Sequence, residues 1–281
     1  MATLETNALA QSINFVTKFE SDLHNLLALL GKTDVVKVAP GTAFTVYETT
    51  GSLSATSVAE KALIPDSGYA TGNGTVKTVT YHKYRNLTSI EKIGTLGYDL
   101  AVGATNDAML RDVQKGIRAA IITAVKSNGS TAVTVPASGT FQAKVAKAVG
   151  KVVELFEDEA ATPIAFVNPA DAFDYLGTAS ITVQSMFGIS YIENFMGIAT
   201  VILDSNVTAG TVYATAAENI NLVAAAVDAI PGMDMTTDST GIIAVHTGAI
   251  YENGAIQTVC YSGVNAFPSI LTRIVKCTAS A

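Results

Sequence analysis

The stretch TNDAMLRDVQKGIRAAIITAVKSN, from Thr105 to Asn128, decides how the rest of the chain is interpreted. Apolar residues recur in it at spacings of three and four: Leu110, Val113, Ile117, Ala120, Ile121 and Ala124. Charged side chains fall on the other side: Arg111, Lys115 and Arg118. Thr105 or Asn106 can cap the first turn, and Gly129 can end the helix. The pattern predicts an amphipathic helix about 30 Å long, with its apolar stripe on the chain's own sheet.

The composition points to a subunit that packs against copies of itself. Of 281 residues, 49% are hydrophobic and 15% are charged, and the mean hydropathy is +0.36. No stretch reaches the run of about 18 apolar residues that a membrane-spanning helix needs. The N-terminus lacks the basic and apolar regions of a signal peptide, so we expect a protein made and kept in a cytoplasm.

Charge and cysteine content exclude other classes of protein. The net charge is −7 and there is no basic run, which disfavours tight nucleic-acid binding through phosphate contacts. Cys260 and Cys277 lie in apolar, strand-like segments with no histidine nearby in sequence. We expect both to be buried, reduced thiols, not metal ligands.

The N-terminal region predicts an arm followed by a helix. Residues 1–11 are small and polar, which is typical of an arm. From Ser12 the apolar residues fall on one helical face: Ile13, Val16, Phe19, Leu23, Leu26, Leu27 and Leu30. Gly31 is the expected end of the helix.

A long hairpin is expected next. Residues 41–48 and 75–83 alternate as strands do, and about 26 residues rich in Gly, Ser and Thr separate them. So long a connection is unusual inside a compact domain. We therefore expect the hairpin to leave the subunit and lie on a neighbour, with Val58, Leu63 and Ile64 against the neighbour's surface.

The remaining chain predicts an α/β region followed by C-terminal strands. Helices are expected at 141–156 and 168–177, and short strands at 163–167, 198–203, 212–214 and 220–226, whereas 130–139 reads as a turn-rich boundary. Strands at 241–247 and 256–262 are joined by Glu252-Asn253-Gly254, a strong hairpin turn. A last run at 270–277 is expected to complete that C-terminal sheet.

No constellation in the sequence indicates catalysis, and we predict no cofactor. His24, His82 and His246 have no nucleophile or orienting carboxylate at motif spacing. The run of Gly68, Gly72 and Gly74 lacks the strand and helix that a phosphate loop requires. Asp234 and Asp238 faintly resemble an oxygen cage for calcium, but without EF-hand spacing a surface turn is the favoured interpretation.

Segments along nearly the whole chain resemble the major capsid proteins of tailed bacteriophages, which have the Hong Kong 97-type capsid fold. The matching segments are FESDLHNLLALLG at 19–31, VAEKALIP at 58–65, YHKYRNLTSIE at 81–91, NDAMLRDVQKGIRAAI at 106–121, FVNPAD at 166–171, residues 188–221, TDSTGIIAV at 237–245, and Ser262-Gly263. The resemblance is one of organisation, since no catalytic signature is involved.

The resemblance implies an α+β fold divided into named regions. They are an N-terminal arm and helix (1–39), an extended E-loop hairpin (40–94), a P-domain with the long spine helix (95–138), an α/β A-domain (139–237) and C-terminal strands returning to the P-domain (238–281). It also implies a structural, non-enzymatic protein that self-assembles as hexamers and pentamers into an icosahedral shell around double-stranded DNA. The expected location is the virion, assembled in the host cytoplasm with scaffolding, portal or decoration proteins and without sequence-specific DNA binding or a membrane.

Alternatives remain open at this point. An encapsulin-like nanocompartment would share the fold and enclose an enzyme, and a small-molecule-binding or hydrolytic α/β protein would use residues 139–237. One relative in the family cross-links neighbouring subunits through a Lys and an Asn. Lys61 with Asn253 or Asn265 offers the residue types, but no motif joins them and we interpret Lys61 as a solvated charge.

Overall fold

The computed structural model is a mixed α and β chain. It describes residues 4–31, 35–47, 49–51, 54, 58–60, 62–63, 67–72, 75–126, 131–157, 161–177, 182–186, 188–227 and 234–280. The helices are α1 (Leu4–Leu29), α2 (Ile90–Leu96), α3 (Tyr98–Val125), α4 (Phe141–Leu155) and α5 (Pro169–Leu176). The strands are β1 (Val36–Val38), β2 (Ala43–Val46), β3 (Thr49–Gly51), β4 (Tyr69–Thr71), β5 (Thr75–Thr78), β6 (His82–Ser89), β7 (Thr131–Val135), β8 (Pro163–Val167), β9 (Gln184–Met186), β10 (Ile189–Phe195), β11 (Ala199–Leu203), β12 (Val212–Ala216), β13 (Ile220–Ala225), β14 (Thr236–Thr237), β15 (Ile243–Ile250), β16 (Ala255–Ser262), β17 (Val264–Pro268) and β18 (Val275–Ala279).

These strands form three larger sheets and a two-stranded hairpin. The seven-stranded sheet has the order β7-β18-β12-β8-β11-β10-β9. A four-stranded sheet has the order β14-β15-β16-β6, and a three-stranded sheet the order β1-β13-β17. The pairs β2-β5 and β3-β4 form the hairpin. Most neighbouring strands within the sheets are far apart in sequence.

The long helix α3 begins earlier than the sequence predicts. Gly97, at φ +83°, separates it from α2, and the helix then runs from Tyr98 to Val125. Thr105 is not a cap, because its Oγ1 donates to the carbonyl of Ala101 at 3.0 Å inside the helix. The reason is that Ala101 and Val102 are fully buried, so packing extends the helix past the capping signal. The expected stop at Gly129 lies outside the described residues.

Helix α1 also begins earlier than expected. Residues 4–11, interpreted from sequence as an arm, are its first turns, and Gly31 at φ +64° follows its end. Ile13, expected on the buried face, is 46% exposed. Side-chain contacts tie α1 to α3: Lys18 Nζ lies 2.7 Å from Asp107 Oδ1, Gln114 Nε2 donates to Asp22 Oδ2 at 2.6 Å, and Gln11 Nε2 donates to Asp99 Oδ1 at 3.5 Å. The N-terminal helix therefore lies alongside the long one.

The C-terminal hairpin is confirmed, but its third strand comes from elsewhere. β15 and β16 pair from Ile243↔Ser262 to Ile250↔Ala255, around the predicted turn. The strand on the other edge of β16 is β6, not the run at 270–277. That run instead leads into β18, which pairs with β12 and β7 in the seven-stranded sheet.

The alternating run 75–83 is two strands instead of one. β5 ends at Thr78 in the projecting hairpin, and β6 begins at His82 in the four-stranded sheet. Val79 between them is buried, and its backbone bonds to Gly41 and Thr42 fix the chain where it changes sheet. The alternating residue pattern continues across the break between β5 and β6. The local pattern alone therefore does not reveal that break.

The α/β region is built largely as expected. Thr140 caps α4 and Asn168 caps α5, whose first residue is Pro169. The interpretation of 130–139 as a turn-rich boundary was wrong, because β7 occupies Thr131–Val135. The strand predicted at 220–226 is confirmed as β13, but it pairs with β1 and β17 outside the main sheet. β7 and β18 complete the seven-stranded sheet from outside the segment 139–237.

Candidate assembly surfaces

The hairpin of β2 to β5 stands apart from the sheets of the subunit. Its first ladder pairs Ala43↔Thr78 to Val46↔Thr75, and the second pairs Thr49↔Thr71 to Gly51↔Tyr69. Within the described residues, none of its strands pairs with any strand outside the hairpin. An isolated two-stranded hairpin is at best marginally stable in water. This one therefore requires support from a surface that the subunit's sheets do not provide.

The hairpin exposes several large apolar side chains. Tyr47, Tyr69 and Val76 are all more than half exposed. Val76 pairs with Thr45 in the first ladder, and Tyr69 pairs with Gly51 in the second. Three such side chains on one projecting element favour an interaction surface.

The far end of the hairpin carries the predicted contact residues. Leu63 is 93% exposed and Val58 is 37% exposed, whereas Ile64 lies outside the described residues. The backbone N–H of Ala62 donates to the carbonyl of Ala59 at 3.0 Å and closes a turn that presents Glu60. The described residues at this end thus include exposed apolar side chains and the exposed Glu60, which Lys61 follows in the sequence. That Val58, Leu63 and Ile64 contact a neighbour stays a prediction.

Helix α3 has one buried and one charged side. Leu110, Val113, Ile117 and Ile121 lie in the largest buried cluster, together with α1 side chains such as Phe19. Met109, Ile122 and Val125 are buried there too, and Arg111 and Lys115 are exposed. The helix thus holds the core together while its charged side remains available at the surface.

A cleft of about 220 Å³ opens where α3 meets the seven-stranded sheet. It is lined by Lys115, Arg118, Pro169, Phe173, Gly188, Ser190, Leu203, Asp204, Ser205 and Asn206. Arg118 Nη1 donates to the carbonyl of Gly188, and the guanidinium packs against this glycine, whose φ is +65°. The sequence predicted that Arg118 lies on a charged face of the helix. The local pattern does not predict that α3 contacts β10.

Comparison with known proteins gives the fold but no close relative. No protein-family model and no curated protein matches the sequence. Among solved structures, the capsid of an empty GTA particle matches with TM-score 0.61 and 11% identity, over 92% of this chain and 90% of that one. A virus-like particle from Pyrococcus furiosus matches with TM-score 0.55 and 11% identity, over 95% and 96% of the two chains. Mycobacterium phage Che8 matches with TM-score 0.51 and 12% identity, over 91% and 87%.

The chain has the Hong Kong 97-type capsid fold. The similarity spans nearly its whole length, so the fold is shared by the complete chain and not by one part of it. At this level of identity the likeness establishes architecture, and function has to be argued from the surfaces.

The titratable residues of this capsid-fold chain form no reactive centre among the described residues. His24, His82 and His246 are exposed, and no group of three or more metal-ligating side chains is present there. Burial raises the pKa of the Cys260 thiol to about 12, and burial also raises the pKa of Cys277. Within the described part of the chain, no helix is long and apolar enough to cross a membrane.

Two further candidate sites from the sequence involve Asp238 and Lys61. Asp238 lies in a turn, but it is buried and accepts from the backbone N–H groups of Ile242 and Ile243 at 2.8 and 2.9 Å. It therefore holds the entry to β15 instead of lying on the surface. The interpretation of Lys61 as a solvated charge, and not as part of a cross-link, is untested because Lys61 lies outside the described residues. Asn253 is exposed in the β15–β16 turn, and Asn265 Nδ2 donates to the Gly263 carbonyl.

A second exposed apolar group lies around α2, which buries none of its own side chains. Ile90, Leu96 and Leu100 are exposed there, and Tyr251 is 87% exposed in the adjoining β15–β16 turn. Ile90 N donates to the carbonyl of Gly254, which holds α2 next to that turn. Sequence reasoning missed this surface, because leucine and isoleucine at helical spacing usually indicate a buried face.

Proposed function

We propose that this protein is the major capsid subunit of a tailed phage, and that many copies assemble into an icosahedral shell around double-stranded DNA. Hexamers and pentamers of the chain would form the shell, with scaffolding, portal or decoration proteins completing the particle in the host cytoplasm. The role is structural and involves no catalysis. The proposed regions are those of the capsid fold: arm, E-loop, P-domain, A-domain and returning C-terminal strands.

The observation that carries the proposal is the unsupported hairpin. Its exposed apolar side chains and its exposed end require a covering surface, and a second copy of the chain in a closed shell supplies one at every position. In a monomeric enzyme the exposed side chains of Leu63, Tyr47, Tyr69 and Val76 would stay in contact with water, and nothing would offset that cost. The second exposed surface around α2 supports the same conclusion, since a shell subunit needs contacts in more than one direction.

The net charge of the chain supports the proposal that the shell encloses DNA. A net charge of −7 limits adhesion of the shell wall to packaged DNA, because phosphate binding depends on clustered Lys and Arg. The interior would therefore confine the genome without binding particular sequences. The same net charge is compatible with a protein cargo. An experiment is therefore needed to distinguish a DNA-filled capsid from an encapsulin-like compartment.

The test is to purify particles from cells that produce the protein naturally and to analyse their contents. The proposal expects nuclease-protected double-stranded DNA inside uniform polyhedral particles that carry a tail. Tailless particles that contain one co-purifying enzyme and no DNA would favour the nanocompartment. Small rings or free chains would contradict both.

A further inference from the structure

The first turns of α3 bury polar groups that the described part of the subunit does not satisfy. The Asn106 side chain is 4% exposed, and neither its Nδ2 nor its Oδ1 has a hydrogen-bond partner there. The Tyr98 hydroxyl, about two turns earlier, is also buried without a partner in that part of the chain. A buried amide without a partner bears the full desolvation cost of its polar atoms. The helix that starts at Tyr98, the long form of α3, therefore carries a penalty at Asn106.

The sequence offers Asn106 a different role. Asparagine is a favoured cap at the start of a helix, where its side-chain oxygen accepts from a backbone N–H two or three residues later. Asp107 follows directly, and an acidic residue in a first turn is stabilised by the helix dipole. In a helix that starts at Asn106, the amide would reach the N–H of Ala108 or Met109 and would no longer be unpaired.

The residues before Asn106 have a low tendency to form a helix. Gly94 lies in α2, Gly97 joins α2 to α3 at φ +83°, and Gly103 lies in the first turns of α3. Within the described part of the chain, a Cβ at Gly94 meets nothing within 4 Å, and one at Gly103 meets Gln11 Oε1 at 3.9 Å. Packing therefore does not require glycine at either helical position. Each glycine destabilises a helix relative to alanine, which makes this segment easier to unwind.

The interactions that hold the long form are modest. Helix α2 buries none of its own side chains. Ala101 and Val102 are buried and oppose unwinding, and Thr88 Oγ1 lies 2.8 Å from Thr105 Oγ1. The long form is thus held mainly by two small apolar side chains and one bond between hydroxyl groups.

We propose that α3 of the free subunit has a second starting position at Asn106, besides the one at Tyr98. In this short form the Asn106 side chain caps the helix, residues 98–105 are unwound, and α2 moves with them. The core is retained, because the α3 residues of the largest core cluster, from Met109 to Val125, all follow the second start.

The choice between the two starts controls an exposed apolar surface. Ile90, Leu96 and Leu100 are exposed on the segment that moves. A neighbouring subunit that covers these side chains together binds the long form better, so assembly shifts the population toward it. This consequence rests on the proposed shell function, whereas the two starts belong to the free subunit.

The test is hydrogen exchange of the unassembled full-length subunit, followed by mass spectrometry of overlapping peptides. The amides of 102–105 bond to carbonyls one turn earlier in the long form and lose those bonds in the short form. After correction for intrinsic rates, they should exchange at least about tenfold faster than the amides of 111–125 in the same helix.

Two substitutions of Asn106 should shift this exchange in opposite directions. Asn106→Leu removes both the cap and the unpaired amide, so exchange at 102–105 should slow by about tenfold. Asn106→Asp keeps the cap but places a charge in the buried site of the long form, so exchange should accelerate by about tenfold. Asn14→Leu and Asn14→Asp, at an exposed position of α1, are the matched controls and should leave it unchanged.

Gly103→Ala tests the same equilibrium without altering Asn106. The added methyl group favours the helix, so exchange at 102–105 should slow by about two- to fivefold. Gly150→Ala is the matched control, because it makes the same change in α4, where a Cβ also meets open space.

The outcomes separate this inference from the shell function. Exchange at 102–105 no faster than at 111–125, or shifts of the two Asn106 variants in the same direction, would overturn the second start. Slower exchange at 102–105 in closed particles than in free subunits would support the coupling to assembly, and unchanged exchange would overturn that coupling. Absence of particles from the wild type would contradict the shell function and leave the result on free subunits valid.

Discussion

Tyr69 occupies the space in which a Cβ on Gly51 would have to lie. The two residues are paired across β3 and β4, and a Cβ built on Gly51 would approach Tyr69 Cα and Cδ1 to 2.7 and 2.8 Å. Gly51 also has φ +154°, which L side chains rarely adopt. The glycine therefore leaves room for the tyrosine side chain across the ladder, in the way that an aromatic residue covers a glycine on a neighbouring strand.

Gly51→Ala should therefore loosen the hairpin without unfolding the subunit. Strain at such a position costs roughly 1–3 kcal/mol, and here it falls on a local element that can open independently. Hydrogen exchange should become faster for the amides of β3 and β4 and stay unchanged in α3. Gly68→Ala is the matched control, because a Cβ there meets open space. Equal protection in both variants would contradict the role of Gly51.

The sequence predicts the parts of the fold that depend on local pattern. Helix α4 follows from apolar residues at helical spacing, helix α5 from Asn168 and Pro169 at its start, and the β15–β16 turn from Asn253-Gly254. The start of α3 was missed because burial of Ala101 and Val102 outweighs the capping tendency of Thr105. Sequence periodicity predicts which residues face inward, but it does not predict the segment against which they pack.

Strand pairing was the hardest part to predict. β18 was expected beside β16, yet it lies between β12 and β7, and β6 takes the place next to β16. These partners are separated by tens to more than a hundred residues, and any apolar strand satisfies the local pattern equally well. The same limit applies to the surfaces: α3 was predicted to have a charged side, but the cleft exists only because α3 meets β10 and β11.

Ile117→Ala should destabilise the unassembled subunit by about 2–5 kcal/mol. Ile117 of α3 is buried in the largest hydrophobic cluster, so truncation leaves a cavity that its surroundings fill only in part. Urea unfolding followed by circular dichroism measures the change. Arg111→Ala, on the exposed side of the same helix, should stay within about 0.5 kcal/mol of wild type. If the two variants lose similar stability, α3 does not hold the core as described.

The free energy of unfolding should fall as the pH rises above about 9. Burial raises the pKa of Cys260 from 9.0 to about 12, so the unfolded chain releases this proton at a pH where the folded chain retains it. The stabilisation is complete below pH 9 and is lost as the pH approaches 12, with a limiting slope of about 1.4 kcal/mol per pH unit for this thiol. The raised pKa values of Cys277, Tyr84 and Tyr98 act in the same direction.

Cys260→Ala isolates the contribution of that thiol. In this variant the decline between pH 9 and 12 should be shallower than in wild type, when both are measured by denaturant unfolding at several pH values. Identical slopes would show that the buried thiol is not what links stability to pH.

In the native wild type, a thiol reagent at pH 8 should leave Cys260 unmodified until the chain is unfolded.

Removing residues 49–74 should prevent or weaken shell assembly but leave folding of the subunit unchanged. The shortened chain retains the β2–β5 ladder, which a two-residue Asn-Gly turn can close. Its melting temperature as an unassembled subunit should stay close to that of wild type, because none of the described residues in this segment belongs to a core cluster. Closed particles should be absent or should dissociate at lower temperature. Normal particles with unchanged heat resistance would show that the hairpin contributes nothing to the shell.

Electron microscopy of the purified wild-type protein under assembly conditions, with particle mass determined on the same sample, shows whether the chain forms a shell. We expect uniform, closed polyhedral particles whose mass is a large multiple of the 29.1 kDa chain. A sample that contains only single chains or small open rings at every protein concentration and salt condition would contradict this expectation.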